Sequence, residues 1–244
     1  MTITHVLLDI EGTTCPVSFV AEVLFPYART QLGSYLSDYA DEPEVQALIA
    51  EVKQCWLNEP SPEAIGLRQR EGMRDVAPYL EWLIDHDIKL TPLKDLQGRI
   101  WEAGYAEGAL VAPLFEDVPE ALQRWQENGY VLAVYSSGSV PAQQLLYRHT
   151  QQGDLRGCFS HWFDTRTGPK QDTQSYTKIA ELMQTSSESV LFISDSIAEL
   201  EAASSAGMTV LFSDREGNPG RDRGRFERIT DYSLLNPGHA AQQL

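Results

Sequence analysis

The sequence predicts a doubly wound α/β fold interrupted by an inserted all-helical segment, and three observations carry that prediction. Val6-Leu7-Leu8-Asp9-Ile10 is a continuous rather than alternating apolar run, as expected of a strand covered on both faces of a parallel sheet. From residue 18 to about 106 the strand signal vanishes and apolar residues recur at helical spacing. From Pro113 onward helix and strand patterns alternate, as units of strand, right-handed crossover helix and strand require. Together these describe a mainly parallel, Rossmann-like sheet core.

The elements follow in order. After the first strand, Gly12-Thr13-Thr14 forms a turn. Phe19, Val20, Val23 and Leu24 begin a helical pattern, continued by Val45, Leu48, Ile49, Val52 and Trp56 and then by Val76, Tyr79, Leu80, Leu83 and Ile84. Pro60-Ser61-Pro62 breaks the run, and a last helix spans Asp95 to Ala106. In the core, helices are expected at Val118 to Gln126, Val140 to Arg148, Ser175 to Met183 and Ile197 to Ser205. Strands are expected at Tyr130 to Tyr135, Val190 to Ile193 and Met208 to Phe212. Gly129 and Gly207 stop the helices before them, and Pro141 sits in a first turn. The domains expected are therefore an α/β core of residues 1–17 plus 107–244 and a helical insert of residues 18–106. Asp214 to Arg225, rich in Gly, Arg and Asp, reads as an exposed loop, and the last residues are expected to fray.

Composition narrows the function. The 244 residues carry a formal net charge of −16, so a global basic surface for nucleic acid is not expected. An anionic ligand would need local positive charge from a metal or a few basic residues. Cys15, Cys55 and Cys158 form no CxxC pair or ligand cluster, which suits a reducing compartment. No apolar stretch approaches the ~18 residues of a membrane span, and Asp9 interrupts the N-terminal apolar run, so neither membrane nor secretion is expected. The expectation is a cytoplasmic protein.

Ligands of open α/β sheets sit beyond the carboxyl ends of the strands, so the residues at those ends matter most. The first strand ends in Asp9 with Glu11 two residues on; the second ends in Ser136-Ser137-Gly138-Ser139. Lys170 follows Gly168-Pro169 before a helix, and Val190 to Ile193 runs into Ser194-Asp195-Ser196, with Glu199 beyond. Such a set suits phosphoryl transfer. A carboxylate, Asp9, can attack phosphorus and form an acyl phosphate. Further oxygen ligands can hold Mg2+, which prefers carboxylates and water. Ser137 and the N–H groups of Gly138 and Ser139 can bind phosphate at a helix start, Lys170 can neutralise charge, and Glu11 can serve as acid and base.

Other readings stand beside these. Ser139 can be a helix cap, and Ser196-Ile197-Ala198-Glu199 has the form of a capping box, which would make Glu199 a helix-start residue that touches the metal only through water, if at all. Arg68, Arg70 and Arg74 read as an exposed helix face of the insert, and Trp56, Trp82, Trp101 and Tyr105 as its core. No G-x-G-x-x-G follows a strand and no P-loop signature occurs, which argues against a nicotinamide dehydrogenase or a P-loop kinase.

Asp9-x-Glu11-Gly12-Thr13, Ser137, Lys170 and Ser194-Asp195-x-x-x-Glu199 resemble the four ordered motifs of the haloacid dehalogenase superfamily, and the helical insert falls where that superfamily carries its C1 cap. Most members have Asp where this chain has Glu11; the variant DIEGTT is similar to the enolase-phosphatases of methionine salvage. So are LQGRIWEAGYAEG at 96–108, YSSGSVPAQQLL at 135–146, FDTRTGPK at 163–170 and SDSIAELEAA at 194–203. The resemblance implies an Mg2+-dependent enzyme that enolises 2,3-diketo-5-methylthiopentyl-1-phosphate and then removes its phosphate; oligomeric state is not legible in the sequence, and with a cap already over the site a monomer is expected. It implies Asp9 as nucleophile and metal ligand, and Glu11 as acid/base residue and metal ligand through its main-chain carbonyl. It also implies Asp195 as metal ligand, with Ser136, Ser137, Gly138 and Lys170 holding phosphate. Two alternatives stay open: a phosphatase of the same superfamily for another small phosphate ester, and a catalytically silent phosphometabolite-binding protein.

Overall fold

The computed structural model of the protein describes residues 2–240; the chain end, expected to fray, lies outside that range. The chain divides into two compact units, one containing the residues up to Val20 and those from Val111 onward, the other Ala21–Leu110.

The first unit is the α/β core. Its strands are β1 (His5–Leu8), β2 (Val131–Tyr135), β3 (His161–Phe163), β4 (Val190–Ser194), β5 (Thr209–Ser213) and β6 (Arg228–Ile229). They form one sheet in the order β3-β2-β1-β4-β5-β6, every neighbouring pair parallel. Side-chain alternation sends Leu7, Ala133, Tyr135, Val190, Phe192, Val210 and Phe212 to one face. There they pack with Tyr176, Ile179 and Ala180 of α8 (Thr173–Leu182) and with Leu200 and Ala203 of α9 (Ile197–Ser205). Of the two remaining crossover helices, α6 (Val118–Glu127) buries Val118, Ala121, Leu122 and Trp125 and packs on β2, and α7 (Val140–Arg148) packs on β3. Because all strands are parallel, their carboxyl ends gather at one edge. The register pairs Leu8 with both Val134 and Ile193, so Asp9 lies level with Tyr135 on one side and Ser194 on the other.

The second unit holds α1 (Phe25–Asp38), α2 (Pro43–Asn58), α3 (Pro62–Glu71), α4 (Ala77–Asp85) and α5 (Thr91–Ala106). Each carries Pro at its first or second position, where the missing N–H costs no intrahelical bond. Trp56 is fully buried and stacks on Tyr79 with centroids 4.9 Å apart. Arg70 and Arg74 are exposed, as read from the sequence, although Arg74 lies beyond the end of α3. Arg68 differs: its guanidinium donates to the carbonyls of Trp56 and Leu57 at the end of α2, completing acceptors that the helix leaves open.

Two strands were not foreseen, β3 and β6. They have three and two residues, too few for periodicity to register.

Candidate active site

Asp9 is the hub. It is the first residue past β1, and its N–H donates to the Ile193 carbonyl at 3.0 Å, continuing the ladder to β4. Its carboxylate is 5% exposed as a residue, too buried to be a surface acid. Oδ1 accepts from the Ile10 N–H at 2.8 Å and from Lys170 Nζ at 2.7 Å; Oδ2 accepts from the Ser194 hydroxyl at 3.0 Å. Ile10 turns into the core, and Glu11 stands half-buried on the turn. Gly12 takes φ +68°, a conformation costly for side-chain-bearing residues, and its N–H closes the turn on the Cys15 carbonyl at 2.8 Å.

Lys170 is brought in by a loop held from three sides. The Tyr135 hydroxyl donates to the Gly168 carbonyl at 2.8 Å, the Ser175 hydroxyl to Pro169 at 2.7 Å, and the Tyr176 hydroxyl to Lys170 at 2.7 Å. Gly168 is required there, since a Cβ on it would lie 2.1 Å from Ser175 Oγ. Lys170 Nζ meets two carboxylates, Asp9 and Glu199, each at 2.7 Å. Burial opposes its charge, but those two acids outweigh burial and hold its pKa above the ordinary lysine range.

Glu199 corrects one expectation. The capping box is not formed, because Ser196 makes no side-chain cap bond. Glu199 instead reaches Lys170 and accepts a 3.0 Å contact from Ser194 Oγ. A hydroxyl has one proton, so Ser194 cannot donate to Asp9 and Glu199 together. Its proton therefore serves one carboxylate at a time, and the Glu199 pKa is pushed upward by burial first and then by Asp9, against Lys170 and Ser194. Ser194 is a residue whose role sequence reasoning missed. Its signals were its place in the fourth motif and at the end of β4, level with Asp9.

Asp195 is placed beside the turn: a Cβ on Gly12 would lie 2.2 Å from its Oδ2. Burial and then Asp9 push its pKa up to about 7, with Lys170 opposing and Glu11 adding. Asp9, Glu11, Lys170, Asp195 and Glu199 thus form one electrostatically connected group.

The serine turn closes β2. Ser136 is buried, and its N–H donates to the Phe163 carbonyl at 3.2 Å; Ser137 is exposed and Gly138 half-buried. The Gly138 N–H points to Ser136 Oγ at 3.2 Å. Ser139 occupies the N-cap position of α7 but makes no side-chain cap bond, contrary to expectation. Asp164, at the end of β3, does that work: its Oδ2 accepts from the Val140 N–H at 3.2 Å. Gln143, also unforeseen, donates through Nε2 to the Gly138 and Phe163 carbonyls, each at 2.8 Å, tying the turn to β3.

Comparison with known proteins defines the class first. The profile of the haloacid dehalogenase-like hydrolases matches residues 3–207. Among curated relatives, the enolase-phosphatase E1 of Parasynechococcus marenigrum (strain WH8102) is 50% identical over 225 residues, 90% of this chain and 92% of its own length. That of Synechococcus sp. (strain RCC307) is 53% identical over 214 residues, 88% and 86% of the two chains. Among solved structures, the UTR4 protein of Saccharomyces cerevisiae superposes with a TM-score of 0.78 at 29% identity, covering 96% of this chain and all of that one. The chain belongs to the haloacid dehalogenase-like hydrolases and, within them, to the enolase-phosphatase family. It is a phosphatase. Among the described residues no helix is long and apolar enough to cross a membrane.

Proposed function

We propose that the protein is a bifunctional enolase-phosphatase of methionine salvage. It converts 2,3-diketo-5-methylthiopentyl-1-phosphate to the acireductone 1,2-dihydroxy-3-keto-5-methylthiopentene and phosphate. The observation that carries the reading is the buried Asp9 carboxylate held between Lys170 and Ser194 at the end of β1, in a chain whose relatives bear that name. The helical unit is taken as the cap of the family, and the enzyme as a cytoplasmic monomer; three unpaired thiols among the described residues agree with a reducing compartment.

Mg2+ fits the donors present. Asp195 is an acid pushed up to about 7 by burial and by Asp9, so the pair lacks positive charge that Lys170 alone does not supply. Mg2+ takes one or two carboxylates and fills its octahedron with water and substrate oxygens. Asp9, Asp195 and the Glu11 main-chain carbonyl would hold it, and it would offset the repulsion between carboxylate and phosphate.

The remaining chemistry belongs to the side chains. Asp9 attacks phosphorus while Glu11 gives its proton to the leaving oxygen, leaving an aspartyl phosphate. Water, deprotonated by Glu11, then attacks that phosphorus and regenerates Asp9. Lys170 keeps its proton throughout and stabilises charge on the phosphoryl oxygens, with Ser136, Ser137 and Gly138 in contact with them. The test is turnover of the diketone phosphate with separate optical signals for enol formation and phosphate release. An enol signal preceding phosphate is expected; phosphate without enol would reduce the protein to a phosphatase for another ester.

A further inference from the structure

The stretch after β5 reads as an exposed loop, yet Asp214, Arg215 and Asn218 are 2%, 3% and 7% exposed. Asn218 is turned to the Asp9–Thr14 turn, where its Nδ2 donates to the Gly12 carbonyl at 2.9 Å. Ser213, the last residue of β5, donates its hydroxyl to the same carbonyl at 3.0 Å. Farther on, the buried Tyr232 hydroxyl donates to the next carbonyl, Thr13, at 3.0 Å. Asp195 lies against Gly12 as well: a Cβ built there would meet Asp195 Oδ2 at 2.2 Å and Asn218 Nδ2 at 2.9 Å. Gly12 is therefore fixed at both peptides. Its carbonyl is held by two donors, and its N–H is held by the Cys15 carbonyl at 2.8 Å. In a trans peptide N–H and C=O point opposite ways, so anchoring the Gly12 N–H on Cys15 aims the Glu11 carbonyl away from Cys15.

We propose that Asn218 and Ser213 are positioning residues for the metal site, fixing Gly12 so that the Glu11 main-chain oxygen and the Asp195 carboxylate keep their mutual geometry. The proposal rests on the Mg2+ reading above. Neither residue needs to touch metal or substrate. They act as the outer layer of hydrogen bonds that orients inner ligands, whose loss usually weakens metal binding by ~10–100-fold.

The test compares wild type with Asn218→Ala, Ser213→Ala and the double variant, measuring Mn2+ binding by electron paramagnetic resonance and the Mg2+ dependence of p-nitrophenyl phosphate hydrolysis. Circular dichroism and thermal midpoints establish which variants are folded at the assay temperature. Ser213→Ala keeps the Asn218 bond and so provides a folded variant if Asn218→Ala does not. The expected result is a weaker Mn2+ affinity, about 10-fold or more in Asn218→Ala, a smaller loss in Ser213→Ala, and recovery of most turnover at high Mg2+. Folded variants that bind Mn2+ like wild type, while Asp195→Asn does not, would overturn the proposal alone. A wild type that takes up no Mn2+ would overturn the metal reading, and this proposal with it.

Discussion

The Asp9 carboxylate accepts three hydrogen bonds and is almost wholly buried, and two of its donors, Lys170 and Ser194, are side chains that can also serve a reaction. Asp9→Asn preserves its shape and removes its nucleophilic charge. Phosphate release is expected to fall to background while circular dichroism stays native; retained turnover would remove Asp9 from the chemistry. Glu11→Gln is expected to slow turnover by ~10²–10⁴-fold, the usual range for general acid–base groups, and an unchanged kcat would exclude it. These two acids were legible because carboxylates at a buried strand end followed by Gly are poor folding choices. Ser194 was not legible, since a hydroxyl at a strand end is unremarkable until the register sets it beside Asp9. Glu199 was legible and ambiguous: S-x-x-E fits a capping box as well as a site, and in the structure the cap bond is absent while Glu199 pairs with buried Lys170.

At the scale of elements, the loop carrying Lys170 depends on three hydroxyls reaching three successive carbonyls. Tyr176→Phe removes the one that holds Lys170 itself. The expected result is a lower kcat and a weaker affinity for vanadate, together with a stability loss of about 1–3 kcal/mol for the orphaned buried carbonyl. A stability loss with both kinetic quantities unchanged would make the contact purely structural. The start of α7 depends on Asp164 rather than Ser139. Burial opposes Asp164's charge, but Arg166 and the N–H groups of Arg166 and Val140 outweigh burial and keep the carboxyl below its ordinary range. A lowered acid stabilises the fold above its unfolded pKa and loses that contribution as pH falls through its folded value. Asp164→Ala is therefore expected to cost about 1 kcal/mol at neutral pH, with the difference from wild type shrinking below about pH 4. A pH-independent difference in urea midpoints would contradict the assignment. The long elements were legible from periodicity, whereas β3, β6 and the buried part of the segment after β5 were not. Their residues satisfy local rules for loops and acquire another role only through distant partners, as when Asn218 meets Gly12 across more than 200 positions.

For the whole molecule, the doubly wound core and its helical insert were readable because two hydrophobic periods divide the chain cleanly, and the strand order then places the ends of β1 and β4 side by side. Charge is the property that only the folded chain reveals. A chain with net charge −16 gathers the buried Asp9 and the half-buried Asp195 and Glu199 around one buried lysine. Asp195, pushed up to about 7 by burial and then Asp9, favours folding while protonated and loses that contribution as pH rises through the folded value. Without metal, wild type is expected to lose stability relative to Asp195→Asn as pH rises from about 4 to neutrality. Added Mg2+ should restore wild type alone, by about 2.7 kcal/mol at 100 times its dissociation constant; equal stabilisation of both proteins in thermal scans would contradict that. The central claim remains that Asp9 forms the covalent intermediate. It is tested most directly by quenching the enzyme during turnover, reducing acyl phosphate with borohydride and locating the product by peptide mass. Homoserine is expected at position 9 and at no other acid; an unmodified Asp9 peptide, or reduction at Asp195 or Glu11, would contradict that assignment.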